Sequence, residues 1–93
     1  MKNTFKYYQD PGHGWVGVKV DLLRTLGIVA QVSEFSYMNS KGTMAYLEED
    51  RDGSLFVEKY IEAFGVKPEF KDSCTDRRHW IRSYERYTPE VLI

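Results

Sequence analysis

Residues 46–65 read YLEEDRDGSLFVEKYIEAFG, and the parsing of this stretch decides the fold. It begins as the end of a strand, passes through the carboxylates Glu48, Glu49, Asp50 and Asp52, and resumes as a helix. Asp52 is the expected N-cap, because a carboxylate there accepts from the free amides of the first turn and suits the positive end of the dipole. Phe56, Tyr60 and Phe64 recur at i, i+4 and i+8 with Val57 and Ile61 beside them, which makes one face apolar. Glu58, Lys59 and Glu62 take the opposite face. Gly65 stands where a left-handed residue closes a helix, and Val66 is expected to pack back on Ile61. A strand that turns straight into an amphipathic helix points to a small α+β domain.

Toward the N-terminus, residues 34–38 and 43–48 read as strands around the turn Asn39-Ser40-Lys41-Gly42. Residues 21–26 predict a short helix with Leu22, Leu23 and Leu26 buried, closed by Gly27, with Ile28 packing on Leu23. Before it, residues 4–9 and 15–20 predict two strands joined through the turn-forming Asp10-Pro11-Gly12. On the C-terminal side, residues 66–71 alternate apolar with charged, and Pro68 marks an edge strand or a strand start. Residues 72–76 are expected to be a loop. Residues 77–87 fit a helix by periodicity and a strand by composition, and Pro89 is expected to end either one. The expected architecture is a single domain over residues 1–93. Two β-hairpins and an edge strand form an antiparallel sheet, with two helices on one face.

Size and composition narrow the function classes. A chain of 93 residues buries roughly 60–65% of its unfolded surface, enough for one core without metals or disulfides. It is 15% aromatic, so some rings are expected at the surface, where they favour binding. The net charge of −1 gives no general attraction to nucleic acid or anionic lipid. The charge is uneven: residues 28–65 carry three basic and seven acidic side chains, and residues 66–93 six and five. A single Cys74 excludes an internal disulfide. With no leader and no membrane-spanning apolar run, the expected compartment is a reducing cytoplasm.

Four groups of residues are candidates for chemistry. Asp10-Pro11-Gly12-His13-Gly14-Trp15 places a histidine between glycines beside a large ring, which suits either close approach to a ligand or a plain turn over a structural Trp15. Glu48, Glu49 and Asp50 form an acidic contact patch. They lack the ligand spacing of a calcium loop, so no metal is expected there. Cys74, His79 and His13 show no zinc spacing, and the Cys74/His79 combination has no marked oxyanion hole or orienting group, so no catalytic residue and no cofactor are implied. Arg77, Arg78, His79, Trp80, Arg82, Tyr84 and Arg86 interleave cations with aromatics. That chemistry serves a protein-binding surface, phosphate contacts with base stacking, or a core whose arginines pair with the acidic centre.

Two resemblances follow from these segments. Val16-Gly17-Val18 through Leu22, Leu23, Leu26, Gly27, Ile28 and Val32 resembles half of an AbrB/MazE-type swapped-hairpin element, whose members are dimeric DNA-binding regulators. Lys19 and Ala30-Gln31 stand where that family usually carries a proline and a Gly-Asp turn. More broadly, the order FKYYQDPGHGW, LLRTLGI, FSYMNSKGTMAYLEEDRDGSLF and IRSYERY is similar to small open reading frames of bacteriophages and prophages. That similarity implies a viral accessory role in the cytoplasm of a bacterial host. The expected function is a non-catalytic protein that binds and blocks a host protein, for example a CRISPR or restriction component. The alternative is a small nucleic-acid-binding protein using the run from Arg77 to Arg86.

Overall fold

Strand β2 (Gly14–Lys19) is buried on both sides from Gly14 to Val18, which sets it near the middle of a two-faced sheet. The computed structural model describes residues 3–74 and 80–92. The other strands are β1 (Thr4–Gln9), β3 (Tyr37–Met38), β4 (Met44–Glu48), β5 (Glu69–Cys74) and β6 (Glu85–Arg86). They make one mixed sheet in the order β5-β1-β2-β4-β3-β6. β1 and β5 run parallel, with Thr4 opposite Glu69 and Gln9 opposite Cys74. The other neighbours are antiparallel. Among the described residues three α-helices accompany the sheet: α1 (Val20–Leu26), α2 (Ser54–Phe64) and α3 (Pro89–Leu92). The class is α+β. Among the described residues, no helix is long and apolar enough to cross a membrane.

Alternation along the strands separates two cores. Val16 and Val18 of β2, Ala45 and Leu47 of β4 and Met38 of β3 point to one face. There they meet Val20 and Leu23 of α1, Phe56 and Tyr60 of α2, Tyr87, and Leu92 of α3. Trp15, Tyr46 and Ile81 form the core of the other face, with Tyr8, Tyr37, Met44 and Tyr84 around them. The helices therefore share one face, as the hairpin-plus-helix reading predicts, and residues 80–84 cover the other. The parallel β1–β5 pair replaces the antiparallel edge that was expected.

Both helix-closing glycines act as expected. Gly27 and Gly65 are left-handed, at φ 72° and 74°. Ile28 N donates to Leu23 O at 3.0 Å, a Schellman ending. After α2 a single Gly65 N to Ile61 O bond of 2.8 Å closes the helix instead, and Val66 and Ile61 both stay exposed. Ile61 is thus outside the core, and the apolar face narrows to Phe56 and Tyr60 with Val57 and Phe64 at its flanks.

Asp52 does not cap α2. It lies 2% exposed within a single π-helical turn over Glu49–Gly53, and α2 begins after Gly53 without a side-chain cap. Its carboxylate accepts from Ser33 N at 3.0 Å, Ser33 Oγ at 2.7 Å and Ser36 Oγ at 2.5 Å. Ser36 Oγ in turn accepts from Glu48 N at 2.9 Å, which ties the loop before β3 to the end of β4. The turn itself is capped by Glu48, whose carboxylate accepts from Arg51 N at 3.2 Å.

Three further boundaries differ from expectation, each through tertiary pairing. Residues 34–36 turn toward Asp52 and β3 keeps two residues. The last long strand starts at Glu69, after buried Pro68, because β1 fixes its register, so residues 72–74 are strand and not loop. The tail is neither one helix nor one strand: Trp80–Ser83 is a 3-10 turn, Glu85–Arg86 pairs with β3, and Pro89 opens α3 where it was expected to end an element. Pro at a first helical position forfeits no intrahelical bond.

Candidate aromatic and cationic surface

The second sheet face gathers aromatic side chains from distant parts of the chain. Tyr8 of β1, Tyr46 of β4 and Tyr37 of β3 occupy alternate positions that point there. The turn at Trp80–Ser83 lays Trp80 across Tyr8 and Tyr46. The Trp80 ring centroid is 5.4 Å from Tyr8, 5.5 Å from Tyr46 and 5.2 Å from Tyr84, the first two edge to face. Tyr8 and Tyr84 also meet the Tyr46 ring edge on, at 5.8 and 5.4 Å. Gly17 makes room for this packing, since a Cβ there would lie 2.9 Å from Tyr8 Cε2. Burial, and next the neighbouring Tyr84 and Tyr8, push the Tyr46 hydroxyl up to about 12 from 10.0. Tyr8 is raised by the same two causes, burial first and then Tyr84.

Trp80 nevertheless stays 47% exposed. Ile81 beneath it is fully buried, and Tyr84 is half-buried. Beside them the Arg86 guanidinium lies 5.0 Å from the centroid of the Tyr37 ring, a cation–π arrangement, and its Nη1 donates to Glu34 O at 3.5 Å. Arg51 lies similarly 5.6 Å from the exposed ring of Phe35. Arg82 belongs to the 3-10 turn, while Arg77, Arg78 and His79 lie outside the described residues.

The loop between β1 and β2 is a closed turn. Asp10 accepts from Gly12 N and His13 N, both at 3.0 Å, and its own amide donates to His13 O. Gly14 serves packing and not turn geometry, because a Cβ there would fall 2.1 Å from the Tyr7 hydroxyl and 2.8 Å from Glu49 Oε2. Trp15 is 2% exposed, so it is a core ring and cannot itself touch a partner. Exposed His13 lies 6.0 Å from Trp15, and Trp15 is 6.2 Å from Tyr37, which connects this loop to the Arg86 side of the aromatic face. Two of the groups singled out in the sequence thus converge on one surface.

The acidic group borders the Asp10–Gly14 turn. Glu49 and Asp50 are exposed and Glu48 half-buried, and with the Asp10–Gly14 turn they line a polar cleft of 140 Å³. No group of three or more His, Cys, Asp or Glu among the described residues is placed to hold a metal. Glu49 also borders an apolar groove of 520 Å³ between α2 and the β5 edge, floored by Val16 and Val57 and flanked by Phe70. Sequence reasoning missed Tyr8, Tyr37 and Tyr46 as surface builders. Their common strand parity was the available signal, once the strands were paired. No family model matches the sequence, and neither a curated protein nor a solved structure is significantly similar to it.

Proposed function

We propose that this chain is a non-catalytic binding module that engages a protein partner through the surface centred on Trp80. The observation that carries this reading is the state of Trp80 itself, which is nearly half exposed yet held by Tyr8, Tyr46 and Tyr84. An indole fixed in one orientation before binding loses little further freedom on association, the property of a hot-spot anchor. Tyr84 and Arg86 on the same face are residue types that dominate such centres. Similarity to phage open reading frames supports a bacterial host protein as the partner, with defence components such as CRISPR or restriction factors as the class to search first. The bacterial cytoplasm is the matching compartment.

Nucleic acid is the competing partner, favoured by Lys6, Lys19 and Arg86 standing on the same sheet face as the exposed rings. The experiment is affinity capture from bacterial lysate with wild-type protein and a Trp80→Ala, Arg86→Glu variant, each with and without nuclease. The proposal expects one host protein retained in stoichiometric amount by wild type, resistant to nuclease and lost with the folded variant. Loss on nuclease treatment, or equal retention by the variant, overturns it.

A further inference from the structure

Strands β1 and β2 are each six residues long, yet their ladder covers only Tyr7–Gln9 against Gly14–Val16. The Asp10 N to His13 O bond sets the alternation of an antiparallel pair. Bonded pairs then fall at Tyr8 with Trp15, and next at Lys6 with Gly17. That second pair is missing from the ladder. Each strand keeps its outer neighbour over the same residues: Thr4–Lys6 pairs with Glu69–Lys71 of β5, and Gly17–Lys19 with Met44–Tyr46 of β4. The two strands therefore part toward the Thr4 and Lys19 end, while each stays paired with its outer neighbour.

The opening is a slot of 470 Å³, inside the range of small-molecule sites, about 300–1,000 Å³. Its walls come from both sheet faces, as a gap between strands requires. Phe5 and Val18 point to the helix side, where Leu22 of α1 joins them, and Met44 closes the wall from β4 on the other side. Lys6 and Lys19 stand exposed at the mouth on the aromatic face, and neither forms an ion pair among the described residues. Apolar walls below two ammonium groups match a molecule with an apolar body and one anionic end.

We infer that this slot binds a small amphipathic organic anion, with its apolar chain among Phe5, Val18, Leu22 and Met44 and its anionic head between Lys6 and Lys19. A neutral ligand gains only the walls, and a bare inorganic anion only the mouth. The slot borders the Trp80 surface through Tyr8, which lines the one and packs on Trp80 in the other.

Octanoate is the probe, titrated below its aggregation concentration into the isotope-labelled 93-residue chain, with octanol and inorganic phosphate in parallel. The expected result is saturable octanoate binding, with amide shifts concentrated at residues 4–6, 17–19, 22 and 44. Hexanoate, octanoate and decanoate should tighten by about fourfold per buried methylene until the slot is full. Octanol and phosphate should each bind roughly tenfold more weakly or not at all. A Lys6→Glu, Lys19→Glu variant changes only exposed side chains, so it should melt like wild type and lose octanoate binding. Shifts centred elsewhere, no saturable binding, equal affinity for octanol or phosphate, or unchanged affinity in the folded double variant each overturn the proposal.

Discussion

The Ser36 hydroxyl donates to the Asp52 carboxylate at 2.5 Å while accepting from Glu48 N, so one serine joins the start of the α2 segment to the end of β4. With Ser33 giving its amide and hydroxyl to the same carboxylate, the charge is held inside the fold by three donors. Removing such an acceptor strands several buried groups at once. Asp52→Ala should therefore cost about 3 kcal/mol or more, well above the roughly 1 kcal/mol of a lost N-cap. Ser36→Ala should cost about 1–3 kcal/mol. Urea denaturation of both variants measures this, and an Asp52→Ala cost near that of a cap would remove the latch from the account.

The two sides of α2 differ in what they bury. Phe56 is fully buried against Phe5 and Tyr60, whereas Ile61 is 36% exposed. Phe56→Ala should cost about 3–5 kcal/mol and Ile61→Ala about 1 kcal/mol or less. Comparable losses in thermal melts of the two variants would mean that the helix is rotated from its observed orientation.

The buried hydroxyl of Tyr60 has no hydrogen-bond partner among the described residues, while its ring packs on Phe5, Phe56 and Phe64. A lone buried hydroxyl carries a desolvation cost with nothing to offset it. Tyr60→Phe keeps the ring contacts and removes that cost, so it should leave stability unchanged or raise it by about 1 kcal/mol. A clear loss of stability would reveal a partner for the hydroxyl.

What the sequence discloses here is whatever depends on near neighbours. The i, i+4 spacing of Phe56 and Tyr60 and the glycines at 27 and 65 act within one or two helical turns, so the helices and their C-terminal ends are readable. Asp52 looks like a cap from its position, but its partners Ser33 and Ser36 are 19 and 16 residues away. The start of β5 depends on pairing with β1, at the other end of the chain. The tail resists reading because Trp80, Ile81 and Tyr84 serve as a cover for a sheet face, a role without a period. For the same reason Trp80, Tyr84 and Arg86 stand out by residue type, while Tyr8 and Tyr46, which hold Trp80 in place, and Tyr37, which packs on Trp15 and Arg86, do not.

Alkaline pH probes both cores. Tyr46 and Tyr87 are each pushed up to about 12 from 10.0, by burial first, with Tyr87 raised further by Asp52. The Tyr87 hydroxyl also donates to Val29 O at 2.6 Å, a bond that needs the proton. Raised folded values mean that the neutral form is favoured on folding. Their contribution to stability is then complete below pH 10 and lost as pH rises toward 12. Denaturant midpoints should fall across that window, and less steeply in Tyr46→Phe and Tyr87→Phe variants. A flat profile in wild type would contradict the burial of these hydroxyls.

Salt dependence separates the two partner classes for the Trp80 surface. Each phosphate neutralised by a lysine or arginine releases counterions. A nucleic-acid complex therefore weakens with a log–log slope of about −0.9 per contact on a duplex and −0.7 on a single strand. A protein partner seated on Trp80 and Tyr84 loses apolar and ring contacts when the anchor is truncated. Its dissociation rate should change little with salt, and Trp80→Ala should cost about 2 kcal/mol or more. The chain carries a net charge of −1, with seven acids in residues 28–65, so long-range attraction to a polyanion is weak. We expect labelled DNA and RNA to show no measurable affinity at physiological salt, and little at low salt. Micromolar or tighter binding at physiological salt, abolished by Arg82→Glu, Arg86→Glu in a variant that melts like wild type, would replace the protein partner with a nucleic acid.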